Sequence, residues 1–139
     1  WARNVELAAK MYADGELTGG CLGNSRRAAD RIFRGEHWAT VLRGSKTRAF
    51  ALTIADPTDP NAVVVDRHAY DAACGEVTSN QERDRALGTV RKYDAVADLY
   101  REAAERLGML PSVVQATAWV VWREGYAAHA EAHKRGAWG

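Results

Sequence analysis

The stretch that decides the fold spans residues 42–50, with the sequence LRGSKTRAF, and residues 64–70, with the sequence VVDRHAY, follow it. The first stretch predicts a basic hairpin that leads into a helix. The second predicts a buried extended run that brings Asp66, twenty positions after Lys46, to the start of another helix. Together they predict a nucleic-acid or nucleotide site with a carboxylate at its centre.

The composition is that of an ordinary globular protein. Of the 139 residues, 47% are hydrophobic and 27% are charged, which is enough to bury one core without disulfides or metals. No apolar run approaches the roughly 18 residues that a membrane-spanning helix needs. We therefore expect one domain over residues 1–139 and no membrane partner. Because the chain begins at Trp1, we also expect that an N-terminal segment precedes it.

No metal site or cofactor is predicted. Cys21 and Cys74 lack the CxxC spacing of zinc and iron-sulfur sites, which favours a reduced setting but leaves a single disulfide open. His129 and His133 have the spacing of two helical metal ligands, but the residue after His129 is Ala130 and no third ligand is apparent.

Apolar periodicity predicts helices in the first half of the chain. Residues 1–14 form the first, ended by Gly15, and Asn24 or Ser25 caps a second that ends at Gly35. A short helical turn at residues 37–42 precedes the hairpin. A further helix is predicted after it, capped by Ser45 and containing Ala49, Phe50, Leu52 and Ile54.

The segment between the hairpin helix and Asp66 predicts turns and then an extended run. Residues 56–61 carry two prolines, which the helix cannot pass. Residues 62–65 have β-branched, strand-like composition, but no second strand is available to pair with them, so we expect a buried extended segment. Asp66 then caps a helix that ends at Gly75. The predicted fold class is all-α.

The sequence of the second half of the chain predicts two long helices. Residues 76–92 are polar and of mixed charge, which predicts a surface loop of variable order without a site. Residues 93–107 predict an amphipathic helix, ended by Gly108, with these residues inward: Val96, Leu99, Tyr100, Ala103, Ala104 and Leu107. Pro111 opens a last helix, Ser112 to Arg123, which places three polar or aromatic groups on one face: Gln115, Trp119 and Arg123. The tail from Gly125 is expected to be either helical or frayed.

Positive charge is concentrated around the hairpin. The net charge is only +1, but residues 26–48 hold seven arginines and lysines against two acidic residues. Such a local excess favours a polyanion, although a solvated basic face explains it equally well. A hairpin ending in Gly-Ser-Lys would expose unpaired N–H groups at a helix start, where they could bind a phosphate. The alternative is that the hairpin is simply a turn. The residues we assign to DNA binding are Arg43, Gly44, Ser45, Thr47 and Arg48.

Asp66 is the candidate catalytic carboxylate. Placed in a dry cleft, such a carboxylate stabilises a cationic sugar-like transition state or activates a nucleophile, whereas the alternative is a helix cap and nothing more. His68 could contact Asp66 or a ligand, although a lone histidine is more often structural. Tryptophans such as Trp119 are likewise more often core residues than base-stacking groups. The expected pocket consists of His68, Gln115, Trp119 and Arg123.

The order of these elements resembles the helix-hairpin-helix DNA glycosylase superfamily, with its endonuclease III-like core. Its LPGxGxKTA hairpin is matched at Gly44, Lys46 and Thr47, and its VDTH segment at Asp66 and His68. The resemblance implies a compact orthogonal helical domain with Asp66 as the catalytic acid. It also places Lys46 where some members carry the lysine that forms a Schiff base with the sugar.

The chain also resembles, over nearly its whole length, small uncharacterised proteins encoded by actinobacterial phages. The likeness lies in a W..N...A pattern at Trp1, an Asp-Arg-His-Ala run at 66–69, and a QA..W..WR pattern at 115–123. The glycosylase-like fold is also associated with phage pyrophosphorylases of thymidine hypermodification. If the chain is phage-encoded, the expected location is the cytoplasm of a bacterial host.

Three functions follow as hypotheses. The first is a DNA-binding enzyme that acts on a nucleobase by N-glycosylase-like base excision with Asp66. The second is a helix-hairpin-helix module that binds DNA without chemistry. The third is thymidine hypermodification on the same scaffold. The sequence predicts DNA as the partner and leaves the oligomeric state open.

Overall fold

The computed structural model describes residues 2–15 and 23–134, and the side chains of 5–15 and 23–126. Within these ranges the chain forms eight helices and no strand, so the all-α prediction is confirmed. The chain divides into two compact units, residues 1–43 and residues 44–139. The single domain predicted from the length stays a prediction, as does the helix-hairpin-helix element. None of the described helices combines the length and apolar character needed to cross a membrane.

The first unit contains three helices: α1 (Ala2–Asp14), α2 (Gly23–Phe33) and α3 (Trp38–Val41). The predicted cap of α2 by Asn24 or Ser25 is wrong, because α2 already begins at Gly23 and both residues lie in its first turn. Asn24 instead accepts a hydrogen bond from the Arg27 side chain. Gly35 follows α2 with a φ of 98°, a conformation that favours glycine, and confirms the predicted end.

The second unit contains the remaining helices: α4 (Ser45–Ala55), α5 (Arg67–Cys74), α6 (Asn80–Leu87), α7 (Val90–Leu107) and α8 (Pro111–Lys134). Its core is formed by Val63, Val65 and Ala69 packed against one face of α7. Because the second unit begins at Gly44, it contains both Lys46 and Asp66.

The predicted buried extended segment at residues 62–65 is confirmed. Val63 and Val65 are 1% and 0% exposed, although no strand from the described parts of the chain pairs with them. The Tyr93 hydroxyl takes the place of a neighbouring strand, since it donates to the Val63 carbonyl at 3.0 Å and accepts from the Val65 N–H at 2.8 Å. This side chain satisfies backbone groups that would otherwise be buried without partners.

The prediction of a surface loop over residues 76–92 is wrong, because α6 lies within it. Ser79 and Glu82 form a reciprocal capping box, in which Ser79 Oγ accepts from the Glu82 N–H and Glu82 Oε2 accepts from the Ser79 N–H. Arg83 on α6 then pairs with the buried carboxylate of Asp71 on α5, which also accepts from the Thr78 hydroxyl at 2.6 Å. These contacts fix α6 against α5.

The helix α7 begins three residues earlier than the predicted Tyr93. Thr89 caps α7 by accepting from the Lys92 N–H, so α7 begins at Val90. Gly108 ends α7 with a φ of 64°, as predicted. Two leucines predicted to face inward, Leu99 and Leu107, are 52% and 63% exposed. The last helix, α8, continues to Lys134, so of the two alternatives for the tail from Gly125, helical or frayed, the structure has the helical one.

Candidate functional site

A cleft of about 300 Å³ in the second unit brings Lys46 and Asp66 to one surface. The start of α4 and the start of α5 form two of its walls, and Leu87 and Tyr93 complete it. We call it the Asp66 cleft, and its lining residues are Gly44, Ser45, Lys46, Val65, Asp66, Arg67, Leu87 and Tyr93. The two stretches that the sequence singled out therefore meet in space.

The N-cap of α4, the helix that forms one wall of the cleft, is not the predicted residue. The N-cap is Gly44 rather than Ser45, and no side chain accepts a hydrogen bond there. The first helical bond runs from the Arg48 N–H to the Gly44 carbonyl at 2.9 Å. The N–H groups of the preceding turn, from Ser45 to Thr47, are thus not capped by a side chain, which is the property that makes a helix start suitable for an anion.

Gly44 is not required by the backbone geometry. Its φ of −71° and ψ of 133° are ordinary extended values. An added Cβ would approach Thr47 Oγ1 at 3.5 Å, which is a normal van der Waals distance. The role predicted for this glycine in the hairpin therefore does not depend on a conformation that only glycine adopts.

The carboxylate of Asp66 is held at both oxygens. Oδ1 accepts from the N–H groups of His68 at 2.9 Å and Ala69 at 2.8 Å, which confirms the predicted helix cap. Oδ2 accepts from the indole N–H of Trp119 on α8 at 3.1 Å. The carboxylate is half-buried, so it is fixed in orientation while its residue still lines the cleft.

None of the four predicted pocket residues lines the Asp66 cleft. Trp119 contacts the Asp66 carboxylate through its indole N–H, and the side chains of His68 and Arg123 contact the Trp119 ring. The guanidinium carbon of Arg123, Cζ, lies 4.8 Å from the centroid of the Trp119 ring, in cation–π geometry. The His68 ring meets the Trp119 ring edge-on, with centroids 6.1 Å apart. Gln115, one helical turn before Trp119, is 8% exposed and does not line the Asp66 cleft. The predicted α8 face thus approaches Asp66 through Trp119.

Two of the residues predicted to bind DNA, Gly44 and Ser45, line the Asp66 cleft. Thr47 and Arg48 are exposed on α4 and do not line it, and Arg43 belongs to the first unit. Part of the positive charge of the first unit is already neutralised, since Arg31 pairs with Glu36 and Arg34 pairs with Asp30. No ion pair of the described residues involves Lys46 or Arg48. Lys46 lines the Asp66 cleft, whereas Arg48 does not.

Sequence reasoning missed two residues of the site, Arg67 and Tyr93. Arg67 stands within the stretch 64–70, where no pattern indicates a role for it, and it is exposed at the cleft. Tyr93 is indicated by the sequence only as a helix position. Burial raises the pKa of its phenol, although the hydrogen bond from the Val65 N–H acts in the opposite direction. A tyrosine with a buried hydroxyl is expected to find such a partner, but nothing local indicates which one.

Metal coordination is not supported by the described side chains, among which no group of three His, Cys, Asp or Glu residues is placed to hold an ion. His129 and His133 lie on α8, and their side chains are outside the described residues, as is Cys21. Cys74 is exposed and forms no disulfide.

Fold and site together define an all-α protein with an oriented aspartate at a helix start, opposite a basic helix start. The chain belongs to the family described as "Family of unknown function (DUF7178)", whose model matches residues 1–126. No curated protein matches the chain, and no solved structure matches it either.

Proposed function

We propose that this protein binds DNA and acts on a nucleobase by N-glycosylase-like chemistry, with Asp66 as the catalytic carboxylate. One observation supports the proposal above the others: Lys46 and Asp66 line the same cleft. The cleft therefore pairs a cation suited to a phosphate with a carboxylate suited to a developing positive charge.

The α4 side of the cleft accounts for the binding of a nucleotide backbone. The start of α4 offers N–H groups that no side chain caps, and the helix dipole favours an anion at that point. Lys46 and Arg48 add two positive charges on the same turn. A phosphate bound here would place the attached sugar within the Asp66 cleft.

Asp66 accounts for the chemistry. In base excision, the bond between the sugar C1′ and the base nitrogen breaks and its electron pair leaves with the base. The sugar is left with positive charge, which the Asp66 carboxylate stabilises, and water then adds to C1′ and loses a proton. The base must first be flipped out of the stack, which costs a few kcal/mol. Because Trp119, His68 and Ala69 hold the carboxylate, it would not need to reorient during the reaction.

The Schiff-base role of Lys46 rests on the family resemblance. In that route the Lys46 amine attacks C1′ and loses a proton, and the base leaves with the bonding pair. The sugar ring then opens: the nitrogen lone pair forms the C=N bond while the C1′–O4′ bond breaks and O4′ takes up a proton, and the resulting imine is reducible by borohydride. A borohydride-trapped complex that persists in Lys46→Ala would exclude this role, whereas its loss in that variant would support it.

A second candidate is DNA binding without chemistry, and one observation favours it. Both oxygens of Asp66 already accept hydrogen bonds from the protein, so the carboxylate is accounted for as a helix cap and as an anchor for Trp119. In that case the α4 start would bind a phosphate while Asp66 contributed stability alone.

The two candidates are separated by one experiment with Asp66→Asn. The protein is incubated with duplexes that carry uracil, oxidised, alkylated or hypermodified bases, and abasic sites and altered nucleosides are quantified. Asparagine retains the cap but not the charge, so we expect base release to fall by about 100-fold or more while DNA affinity stays within twofold. Asp98→Asn, an exposed carboxylate on α7, is the matched control.

Each outcome of that experiment supports or refutes one of the candidate functions. Base release that is unchanged in Asp66→Asn would refute the catalytic assignment. Salt-sensitive binding without any product would support the binding module, and an altered nucleoside without an abasic site would indicate base modification of the hypermodification type. No salt-sensitive DNA affinity at all would exclude both candidates.

A further inference from the structure

We propose that Arg67 binds a second backbone phosphate of the DNA strand, on the side of Asp66 away from Lys46. This inference rests on the proposed function and specifies its substrate further. The substrate is an internal nucleotide of a strand, with one phosphate bound on each side of the reacting sugar. A free mononucleotide carries a single phosphate and engages only one of the two cations.

Arg67 lies where the Asp66 cleft adjoins a second cavity. This cavity has a volume of about 270 Å³, and we call it the α6 recess because α6 and its C-cap supply most of its lining: Arg67, Asn80, Arg83, Asp84, Leu87 and Gly88. The cleft and the recess share Arg67 and Leu87, and no residue of α4 lines the recess. Arg67 is therefore at the border of the cleft with the recess, whereas Lys46 belongs to the wall that α4 forms.

The guanidinium of Arg67 has free donors for a phosphate. Its Nε donates to His68 Nε2 at 3.4 Å. Its two terminal nitrogens have no hydrogen-bond partner in the part of the chain that the structure describes, and no described carboxylate forms an ion pair with it. The side chain is exposed, so a phosphate reaches it without breaking an existing ion pair. A planar guanidinium donates two parallel hydrogen bonds to two phosphate oxygens.

The charges of the two cavities favour a phosphate at Arg67 itself and not deeper in the α6 recess. Among the described residues that line the Asp66 cleft, Lys46 and Arg67 are the cations and Asp66 is the single carboxylate. In the recess, Arg83 is already held in a salt bridge and Asp84 adds a negative charge. A strand whose sugar lies at Asp66 therefore meets one available cation on the α4 side and one on the recess side.

Replacement of single phosphates tests the inference with the full chain. The probe is a duplex with one tetrahydrofuran abasic-site analogue, in which the phosphate on its 5′ side or on its 3′ side is replaced by a neutral methylphosphonate. We expect each replacement to weaken binding to the wild type about tenfold. Lys46→Ala should be insensitive to one of the two replacements and Arg67→Ala to the other. Arg85→Ala removes an exposed arginine of α6 that lines neither cavity, and this matched control should respond to both replacements as the wild type does.

The inference is overturned if Arg67→Ala remains sensitive to both replacements, or if neither replacement weakens binding to the wild type. It is also overturned if Lys46→Ala and Arg67→Ala become insensitive to the same replacement, because both cations would then bind a single phosphate. In each of these cases the proposed function stands as long as the wild type releases a base. The expected pattern without any base release would instead refute the N-glycosylase chemistry and keep Arg67 as a phosphate ligand. A wild type without salt-sensitive affinity for DNA would refute both.

Discussion

Trp119 Nε1 on α8 donates a hydrogen bond of 3.1 Å to Asp66 Oδ2 at the start of α5, across 53 positions of sequence. The candidate catalytic carboxylate is therefore also a contact between two helices. Arg123 over the Trp119 ring and His68 at its edge complete the cluster. Because Asp66 Oδ1 caps α5 at the same time, the position of this one side chain depends on both helices.

Replacing Trp119 with phenylalanine is expected to destabilise the second unit. The substitution removes the donor to Asp66, and at this half-buried position the free energy of unfolding should fall by about 1 kcal/mol in urea titration. Trp122→Phe is the matched control on the same helix, because its Nε1 has no described partner and the substitution removes no hydrogen bond. Its stability should be unchanged or slightly raised. An equal decrease in both variants would show that the hydrogen bond to Asp66 contributes nothing.

Tyr93→Phe is expected to be more damaging than its small size change suggests. The hydroxyl bridges the Val63 carbonyl and the Val65 N–H, and its removal leaves both buried without that partner. We expect a decrease of about 2 to 3 kcal/mol in the free energy of unfolding. Tyr12→Phe, at a tyrosine that is 82% exposed, should change it by less than about 0.5 kcal/mol. Slow amide exchange at Val65 in Tyr93→Phe would contradict the bridging role.

Because the pKa of Tyr100 is raised in the folded protein, we expect the protein to lose stability at alkaline pH. Burial, together with the nearby Asp66 and Cys74, raises the pKa of this phenol to about 12. In the unfolded chain it ionises near pH 10, so its contribution is fully present below about pH 10 and is lost as the pH rises towards 12. The contribution amounts to about 2 to 3 kcal/mol. Urea titrations from pH 9 to 12 should show a smaller alkaline loss for Tyr100→Phe than for the wild type, whereas Tyr12→Phe should retain the wild-type loss.

Because the pKa of Asp71 is lowered in the folded protein, we expect a corresponding loss of stability at acidic pH. Burial alone would raise the pKa of this carboxyl, but the hydrogen bonds from Arg83 and Thr78 outweigh burial and lower it. Stability from this group is therefore present above about pH 4, the ordinary value, and is lost as the pH falls below it. At neutral pH, Asp71→Ala should cost about 3 kcal/mol because it leaves Arg83, whose side chain is 15% exposed, without its carboxylate. Asp98→Ala removes an exposed ion pair and should cost less than about 0.5 kcal/mol.

The features that were predictable from sequence are those fixed by neighbouring residues. Asp66 at a helix start is a local capping pattern, and Gly75 and Gly108 end helices because they adopt positive φ. The extended run at 62–65 followed from β-branched residues between a proline turn and a cap. The helix α6 also has a local signal, Ser79 with Glu82 three residues later, but the polar composition around that capping box favours a loop.

The features that were not predictable depend on residues far apart in sequence. The period of α8 indicated that Trp119 and Arg123 share a face, but not that this face would meet Asp66. Tyr93 binds a segment 28 positions away, and Asp71 is held by Arg83 from a helix that was predicted as a loop. Such partners are decided by how the helices pack. The helix propensities of the individual residues do not specify them.

Lys46 and Arg48 are expected to set the salt dependence of DNA binding, if the protein binds DNA as proposed. Each phosphate that is no longer neutralised should make the slope of log Kobs against log salt shallower by about 0.9 on duplex DNA. Lys46→Ala and Arg48→Ala should each reduce the slope by about that amount, and the double variant by about twice as much. Arg34→Ala is the matched control, because its guanidinium is already paired with Asp30. A slope that fell equally in Arg34→Ala would show that α4 is not the phosphate-binding element and that general positive charge determines the affinity.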